Sequence, residues 1–166
     1  MTEKRLRQLS ILVGQKLKAQ GKWITCAESC TGGWVAKALT DIAGSSSYFD
    51  RGFVAYSNTA KQELLHVKQS VLMTCGAVSQ EVVCAMAIDA LHTAAADIAL
   101  SISGIAGPSG GTVDKPAGTV WFGFASKPGH VKACKKQFTG DRESIRLQAA
   151  IFSLQTILDE FLEEQT

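Results

Sequence analysis

The sequence predicts a three-layer α/β/α domain with a mixed, mostly parallel central sheet. Three observations carry that expectation. Helical and extended apolar patterns alternate along most of the chain. Residues 97–103 alternate Ile98, Leu100 and Ile102, the pattern of a strand buried on at least that face. A run through Val120, Phe122 and Phe124 leads across Lys127-Pro128-Gly129 into an extended segment at 130–138, and such a late hairpin makes the sheet mixed.

The elements follow in order. Leu6, Leu9, Val13 and Leu17 share one face of a first helix, which Gly21 ends. Trp23, Ile24, Thr25 and Cys26 form a strand, followed by a turn at Ser29 and a helix through Trp34, Val35, Lys37, Ala38 and Leu39 to about Asp41. Gly44-Ser45-Ser46-Ser47 is a loop, and 49–57 reads as a second strand centred on Phe53 and Val54. Asn58 or Thr59 caps a short helix containing Lys61, Leu64 and Leu65. A longer helix starts near Ser79 and carries Val82, Val83, Met86, Ile88 and Leu91. After the strand at 97–103 and a glycine-rich segment at 104–118 comes the hairpin. Asp141 then begins a terminal helix whose apolar face is Leu147, Ile151, Leu154, Leu158 and Phe161.

Bulk properties narrow the function classes. The chain has 166 residues, 46% apolar and 19% charged, which suits one globular domain over 1–166. A net charge of +2 without a basic-aromatic stripe gives no support to a nucleic-acid partner. No apolar run has the length of a membrane span, and residues 1–8 lack the apolar core of a signal peptide. Five cysteines, an odd count with no CxxC pair and no clustered histidines, argue against a disulfide framework and a zinc site. The expected location is the cytoplasm, and the expected assembly a homo-oligomer such as a dimer.

In open α/β sheets, ligands gather beyond the carboxyl ends of strands. Three segments fit that place. In Ala27-Glu28-Ser29-Cys30-Thr31-Gly32-Gly33, Ser29 sits at a strand-to-helix turn where backbone N–H groups lack intrahelical partners. Such a turn attracts an anion or the oxyanion formed when a serine attacks a carbonyl; equally, Ser29 and Thr31 serve as caps. In Tyr56-Ser57-Asn58, Lys61 falls in the first helical turn, where the macrodipole disfavours its charge and lowers its pKa. A partly neutral lysine can take a proton from a serine; equally, its stem can carry the charge into water. Tyr56 either orients that transfer or packs. In the segment Ser103-Gly104-Ile105-Ala106-Gly107-Pro108, Gly104 and Gly107 open main-chain donors to a ligand, with neither a Walker motif nor a GxGxxG helix entrance. Arg142 and Arg146 follow the Asp141 cap, where two cations suit a bound anion or are balanced by Glu143. Lys132, Lys135 and Lys136 form a solvated basic edge, and His66, His92 and His130 are isolated.

Taken together and in order, Ala27-Glu28-Ser29-Cys30-Thr31-Gly32-Gly33, Tyr56-Ser57-Asn58 with Lys61, Gly76-Ala77-Val78-Ser79, Ser103-Gly104-Ile105-Ala106-Gly107-Pro108 and Gly118-Thr119-Val120 resemble the CinA C-terminal domain family over nearly the whole chain. The resemblance implies hydrolysis of the carboxamide of nicotinamide mononucleotide to nicotinic acid mononucleotide and ammonia, in pyridine nucleotide recycling, with no metal or organic cofactor. It further implies Ser29 as nucleophile, Lys61 as base and Tyr56 beside them. Cys30, Thr31, Gly32, Gly33, Asn58, Ser103, Gly104, Ile105, Ala106, Gly107 and Arg142 are the expected substrate-binding residues. Arg142 and the loop around Gly104 and Gly107 are expected to take the phosphate. The nucleotide pyrophosphatase domain of fused family members has no counterpart here, so that activity is expected to be absent. Two rival readings are a pyridine-nucleotide-binding regulatory domain without catalysis, and a Cys30 thiol as nucleophile. A role in competence or DNA damage, which the family name suggests, draws no support from the near-neutral charge.

Overall fold

Thr2 accepts from the Arg5 N–H at 3.2 Å and caps helix α1 (Glu3–Gln20), and Gly21 closes it in the left-handed region at φ 62°. The computed structural model describes residues 2–163. Strand β1 (Ile24–Glu28) runs into the Ser29 turn and helix α2 (Trp34–Thr40), and a short 3₁₀ turn, Ser45–Ser47, follows. Next come β2 (Phe53–Val54), α3 (Asn58–Leu65), α4 (Gln69–Cys75) and α5 (Gln80–Thr93). The chain is completed by β3 (Ile98–Gly104), β4 (Thr119–Ser126), β5 (His130–Gln137) and α6 (Arg142–Thr156), which ends in one π-type turn, Ile157–Phe161.

The five strands lie in the order β2-β1-β3-β4-β5. The first three are mutually parallel, β4 is antiparallel to β3, and β5 is antiparallel to β4. Four strands therefore share one direction and β4 alone opposes them, the mixed, mostly parallel sheet expected from the late hairpin. The two faces differ in side-chain size. Toward α1, α2 and α6 the sheet presents Ile24, Ile98, Leu100, Ile102, Phe122 and Phe124. Toward α3, α4 and α5 it presents Ala27, Ala99 and Ala125. On that second face a Cβ at Gly123 would lie 2.3 Å from the Val83 carbonyl, so α5 rests almost directly on the β4 backbone.

Three sequence expectations change. The strand expected over 49–57 is reduced to Phe53 and Val54, paired with Ala27 and Glu28, and an isolated bridge from Phe49 to Ile24. Between these contacts the Arg51 carbonyl is taken by the Thr25 hydroxyl at 2.7 Å, and a Cβ at Gly52 would meet Cys26 Sγ at 2.8 Å, so residues 50–52 abut β1 without joining its ladder. The cap of α3 is Ser57, whose hydroxyl accepts from the Ala60 N–H at 3.0 Å, rather than Asn58 or Thr59. Helix α4 was not anticipated: its cap position, Lys68, makes no side-chain cap bond and only Leu72 is buried, so neither signal of a helix is present in the sequence.

Because β1, β2 and β3 are parallel, their carboxyl ends open onto one end of the sheet. Strand β4 begins there and β5 ends there, so the entrance to α6 joins the same end. The Ser29 turn, Tyr56 with α3, the loop after Gly104 and Arg142 thereby converge.

Candidate active site

The turn after β1 is held from two sides. Glu28, 0% exposed, sends its carboxylate to the N-terminus of α2. Its Oε1 accepts from the Thr31 hydroxyl at 2.6 Å and the Val35 N–H at 2.9 Å, and Oε2 accepts from the Ala36 N–H at 3.0 Å. It thus supplies the cap that Gly33, at the helix start, cannot. On the other side, Arg146 donates to the Cys30 carbonyl at 2.9 Å and to the Thr31 carbonyl at 3.2 Å. The Ser29 N–H joins the Ile102 carbonyl of β3 at 2.9 Å, and the Ser29 carbonyl accepts from the Gly32 N–H at 3.0 Å. Among the described residues, the N–H groups of Cys30 and Thr31 have no protein acceptor.

Lys61 is the fourth residue of α3, and its side chain is 1% exposed. Its Nζ donates to Ser29 Oγ at 2.8 Å and to the Tyr56 carbonyl at 3.2 Å, while Ser29 Oγ donates to that same carbonyl at 3.3 Å. Among the described residues no carboxylate lies at ion-pair distance from Nζ. Burial holds the Lys61 pKa below its ordinary 10.5, with the neighbouring Cys30 thiol opposing the shift. Desolvation, more than the helix dipole argued from sequence, favours the neutral amine. Such an amine can accept a proton from the hydroxyl it touches.

Tyr56 enters the site differently from the expectation. Its backbone carbonyl touches both Ser29 and Lys61, while its ring is 59% exposed and its hydroxyl accepts from Arg142 Nη2 at 3.1 Å. Arg142 Nη1 donates to the Gly107 carbonyl at 2.8 Å, so this arginine spans the mouth from the β3–β4 loop to Tyr56. Both of its partners are uncharged, and among the described residues no carboxylate pairs with it.

These groups line one cleft of about 260 Å³. Of the expected residues, Ser29, Cys30, Tyr56, Asn58, Lys61, Ser103, Gly104, Ile105, Ala106, Gly107 and Arg142 border it. Thr31, Gly32 and Gly33 do not; they border a separate cavity behind the turn, together with Trp34 and Arg146. Thr31 turns its hydroxyl to Glu28, and the glycines serve the turn itself, at φ 60° and 103°. Gly104 is likewise structural: a Cβ there would lie 2.7 Å from Val120 Cγ2. The Ile105 N–H is taken by the Thr119 carbonyl at 2.9 Å, and the Ser103 hydroxyl by the Ala77 carbonyl at 2.8 Å. In the loop this leaves the N–H groups of Ala106 and Gly107 without protein acceptors among the described residues. Ala77 and Val78 also border the cleft; they are apolar, and only their place in a recognised motif could have pointed to them.

The Cys30 thiol is pushed up to about 12, chiefly by burial, with Arg146 pulling the other way. A thiol so placed is protonated at neutral pH and ill suited to attack, which weighs against it as the nucleophile. Among the described residues no three His, Cys, Asp or Glu side chains are grouped to hold a metal ion, and no helix is long and apolar enough to cross a membrane.

Fold and cleft together define an α/β protein with a buried serine–lysine pair at the carboxyl ends of its parallel strands. The chain belongs to the CinA C-terminal domain family, whose profile matches residues 6–161. It is 64% identical over 163 residues to nicotinamide-nucleotide amidohydrolase PncC of Enterobacter agglomerans, covering 98% of this chain and 99% of that relative. Identity to the protein of the same name from Escherichia coli (strain K12) is 56%, with the same coverage. Among solved structures, competence damage-inducible protein A (ComA) from Klebsiella pneumoniae subsp. pneumoniae MGH 78578 superposes with a TM-score of 0.92 at 37% identity, covering 96% of this chain and 99% of that one.

Proposed function

We propose that this protein is an amidohydrolase that converts nicotinamide mononucleotide to nicotinic acid mononucleotide and ammonia, with Ser29 as nucleophile and Lys61 as its base. The observation that carries this is the 2.8 Å contact between a buried lysine amine and a serine hydroxyl facing an open cleft. The near-full-length identity to nicotinamide-nucleotide amidohydrolases supplies the substrate class.

Neutral Lys61 accepts the Ser29 proton as Oγ attacks the carboxamide carbon. The Tyr56 carbonyl accepts from the amine and holds it against Ser29, and for the transfer the Ser29 hydroxyl swings its proton from that carbonyl to the amine's lone pair. The oxyanion is received by the N–H of Cys30, on the cleft, backed by that of Thr31, the next free donor of the turn. Lys61, now an ammonium, returns the proton to the amide nitrogen, the C–N bond breaks, and ammonia leaves. Water then attacks the acyl-serine with Lys61 again as base, which frees the carboxylate and restores Ser29. No redox change occurs and water is the only co-reactant. The phosphate is held by Arg142, which has no carboxylate partner among the described residues, with the N–H groups of Ala106 and Gly107. Asn58 borders the cleft where a carboxamide or ribose would pass. The five free cysteines fit a reducing compartment, so we place the reaction in the cytoplasm, in pyridine nucleotide recycling, and expect a homo-oligomer.

Incubation of the purified protein with nicotinamide mononucleotide tests the assignment. Ammonia and nicotinic acid mononucleotide should appear in equal amounts. Release no faster than in buffer alone would remove it.

A further inference from the structure

We infer that Arg146 is a positioning residue of the oxyanion site: from behind the Ser29 turn, its guanidinium fixes the peptide unit that carries the free Thr31 N–H beside the attacking serine. The inference rests on the reading of Ser29 as nucleophile.

In a trans peptide the C=O of one residue and the N–H of the next point in opposite directions. Arg146, which borders the cavity behind the turn and not the cleft, holds the Cys30 carbonyl through Nε at 2.9 Å. The Thr31 N–H is therefore turned the other way, and it has no protein acceptor among the described residues. The peptide before it is fixed similarly, since the Ser29 carbonyl accepts from the Gly32 N–H and leaves the Cys30 N–H free. Nη2 holds the next carbonyl, that of Thr31, at 3.2 Å. One planar fork thus pins two successive carbonyls, which a lysine ammonium could not do with the same geometry.

The turn is built around this side chain. The guanidinium lies over the Trp34 ring, 5.6 Å from its centre. Gly32 is left-handed at φ 60°, and a Cβ there would stand 3.1 Å from Nη2. Among the described residues no carboxylate pairs with Arg146, so its charge polarises the peptide that carries the Thr31 N–H and strengthens that donor toward a developing oxyanion. Arg142, one helical turn earlier, faces the other side of the turn. A single face of α6 thereby serves substrate at one arginine and the attacking turn at the next.

The cavity behind the turn, about 510 Å³ and bordered by Arg146 itself, gives small cations access to this position. Arg146→Ala, Arg146→Lys and Ser29→Ala should be compared with the unaltered protein on nicotinamide mononucleotide, with kcat and KM measured separately. Arg146→Ala is expected to lower kcat about 100-fold with KM within about threefold of normal. Guanidinium chloride below denaturing concentration should restore about a tenfold part of that loss by refilling the vacated place, while sodium chloride of equal ionic strength should not. Arg146→Lys should remain within about tenfold of the alanine variant, because the fork is lost. A kcat loss under about threefold, a loss carried by KM, or a loss that guanidinium leaves unchanged overturns the inference. If circular dichroism shows Arg146→Ala unfolded, the kcat of Arg146→Lys decides alone, with normal turnover overturning it. Ser29→Ala should be inactive with and without guanidinium; activity there would sink the nucleophile assignment, a separate failure.

Discussion

Lys61 Nζ and Ser29 Oγ stand 2.8 Å apart although 32 residues separate them in the chain. One comes from the second turn-forming segment and the other from the first, and adjacent parallel strands bring them together. Burial of the lysine and the absence of a carboxylate partner among the described residues disfavour the ammonium and lower its pKa.

Replacing Lys61 by arginine should therefore be nearly as damaging as replacing it by alanine, each lowering kcat by about 100-fold or more, since guanidinium cannot accept a proton near neutral pH. The activity of the unaltered protein should fall on the acid side as Lys61 becomes protonated. Steady-state rates of both variants and a pH profile check this. Recovery of most activity by Lys61→Arg would reduce the residue to an electrostatic role.

The same shift has a stability signature. In the unfolded chain Lys61 titrates near 10.5, whereas in the fold it releases its proton at lower pH. Between those two values the unfolded state binds more protons, so stability rises with pH, by up to about 1.4 kcal/mol per pH unit. The contribution is complete above 10.5 and is lost as pH falls through the depressed folded value. Denaturant titrations of Lys61→Met and the unaltered protein should therefore diverge across this window, with the unaltered protein gaining on the variant as pH rises. Parallel curves would show that Lys61 is not depressed.

Arg142→Ala should cost about 1 to 3 kcal/mol in kcat/KM for the mononucleotide, the worth of a charge-assisted contact, and much less for nicotinamide riboside, which has no phosphate. Tyr56→Phe leaves the backbone carbonyl in place and removes one bond to Arg142. It should keep kcat within about threefold and raise KM modestly, about 1 kcal/mol. Equal losses on both substrates would move Arg142 from phosphate binding to structure, and a collapse of kcat in Tyr56→Phe would return its hydroxyl to the chemistry.

Much of this arrangement was legible from local signals. Ser79 and Asp141 cap helices where the sequence placed them, and the hairpin turns at Lys127-Pro128-Gly129. What escaped was tertiary. Glu28 caps a helix that starts at Trp34 from the end of a neighbouring strand, a relation no spacing rule contains. Thr31, Gly32 and Gly33 share a motif with Ser29, yet the turn rotates them to its far side, where Arg146 is waiting. The sequence marks Tyr56 as orienting the transfer or packing; it contributes its carbonyl, and a carbonyl carries no signature of residue type. The sequence offers Gly104 as opening main-chain donors to a ligand; its missing Cβ makes room for Val120.

The central claim is that Ser29 Oγ is the attacking atom, and ammonia release by Ser29→Ala and Cys30→Ser tests it most directly. Ser29→Ala removes one weak donation at 3.3 Å and one acceptor for Lys61, which keeps the Tyr56 carbonyl, so stability should shift by about 1 to 2 kcal/mol. Loss of the nucleophile should cost several orders of magnitude in turnover. Cys30→Ser, whose thiol is held protonated by burial, should keep substantial activity. The account predicts a folded, inactive Ser29→Ala beside an active Cys30→Ser. A Ser29→Ala protein with more than about a tenth of normal turnover would contradict it.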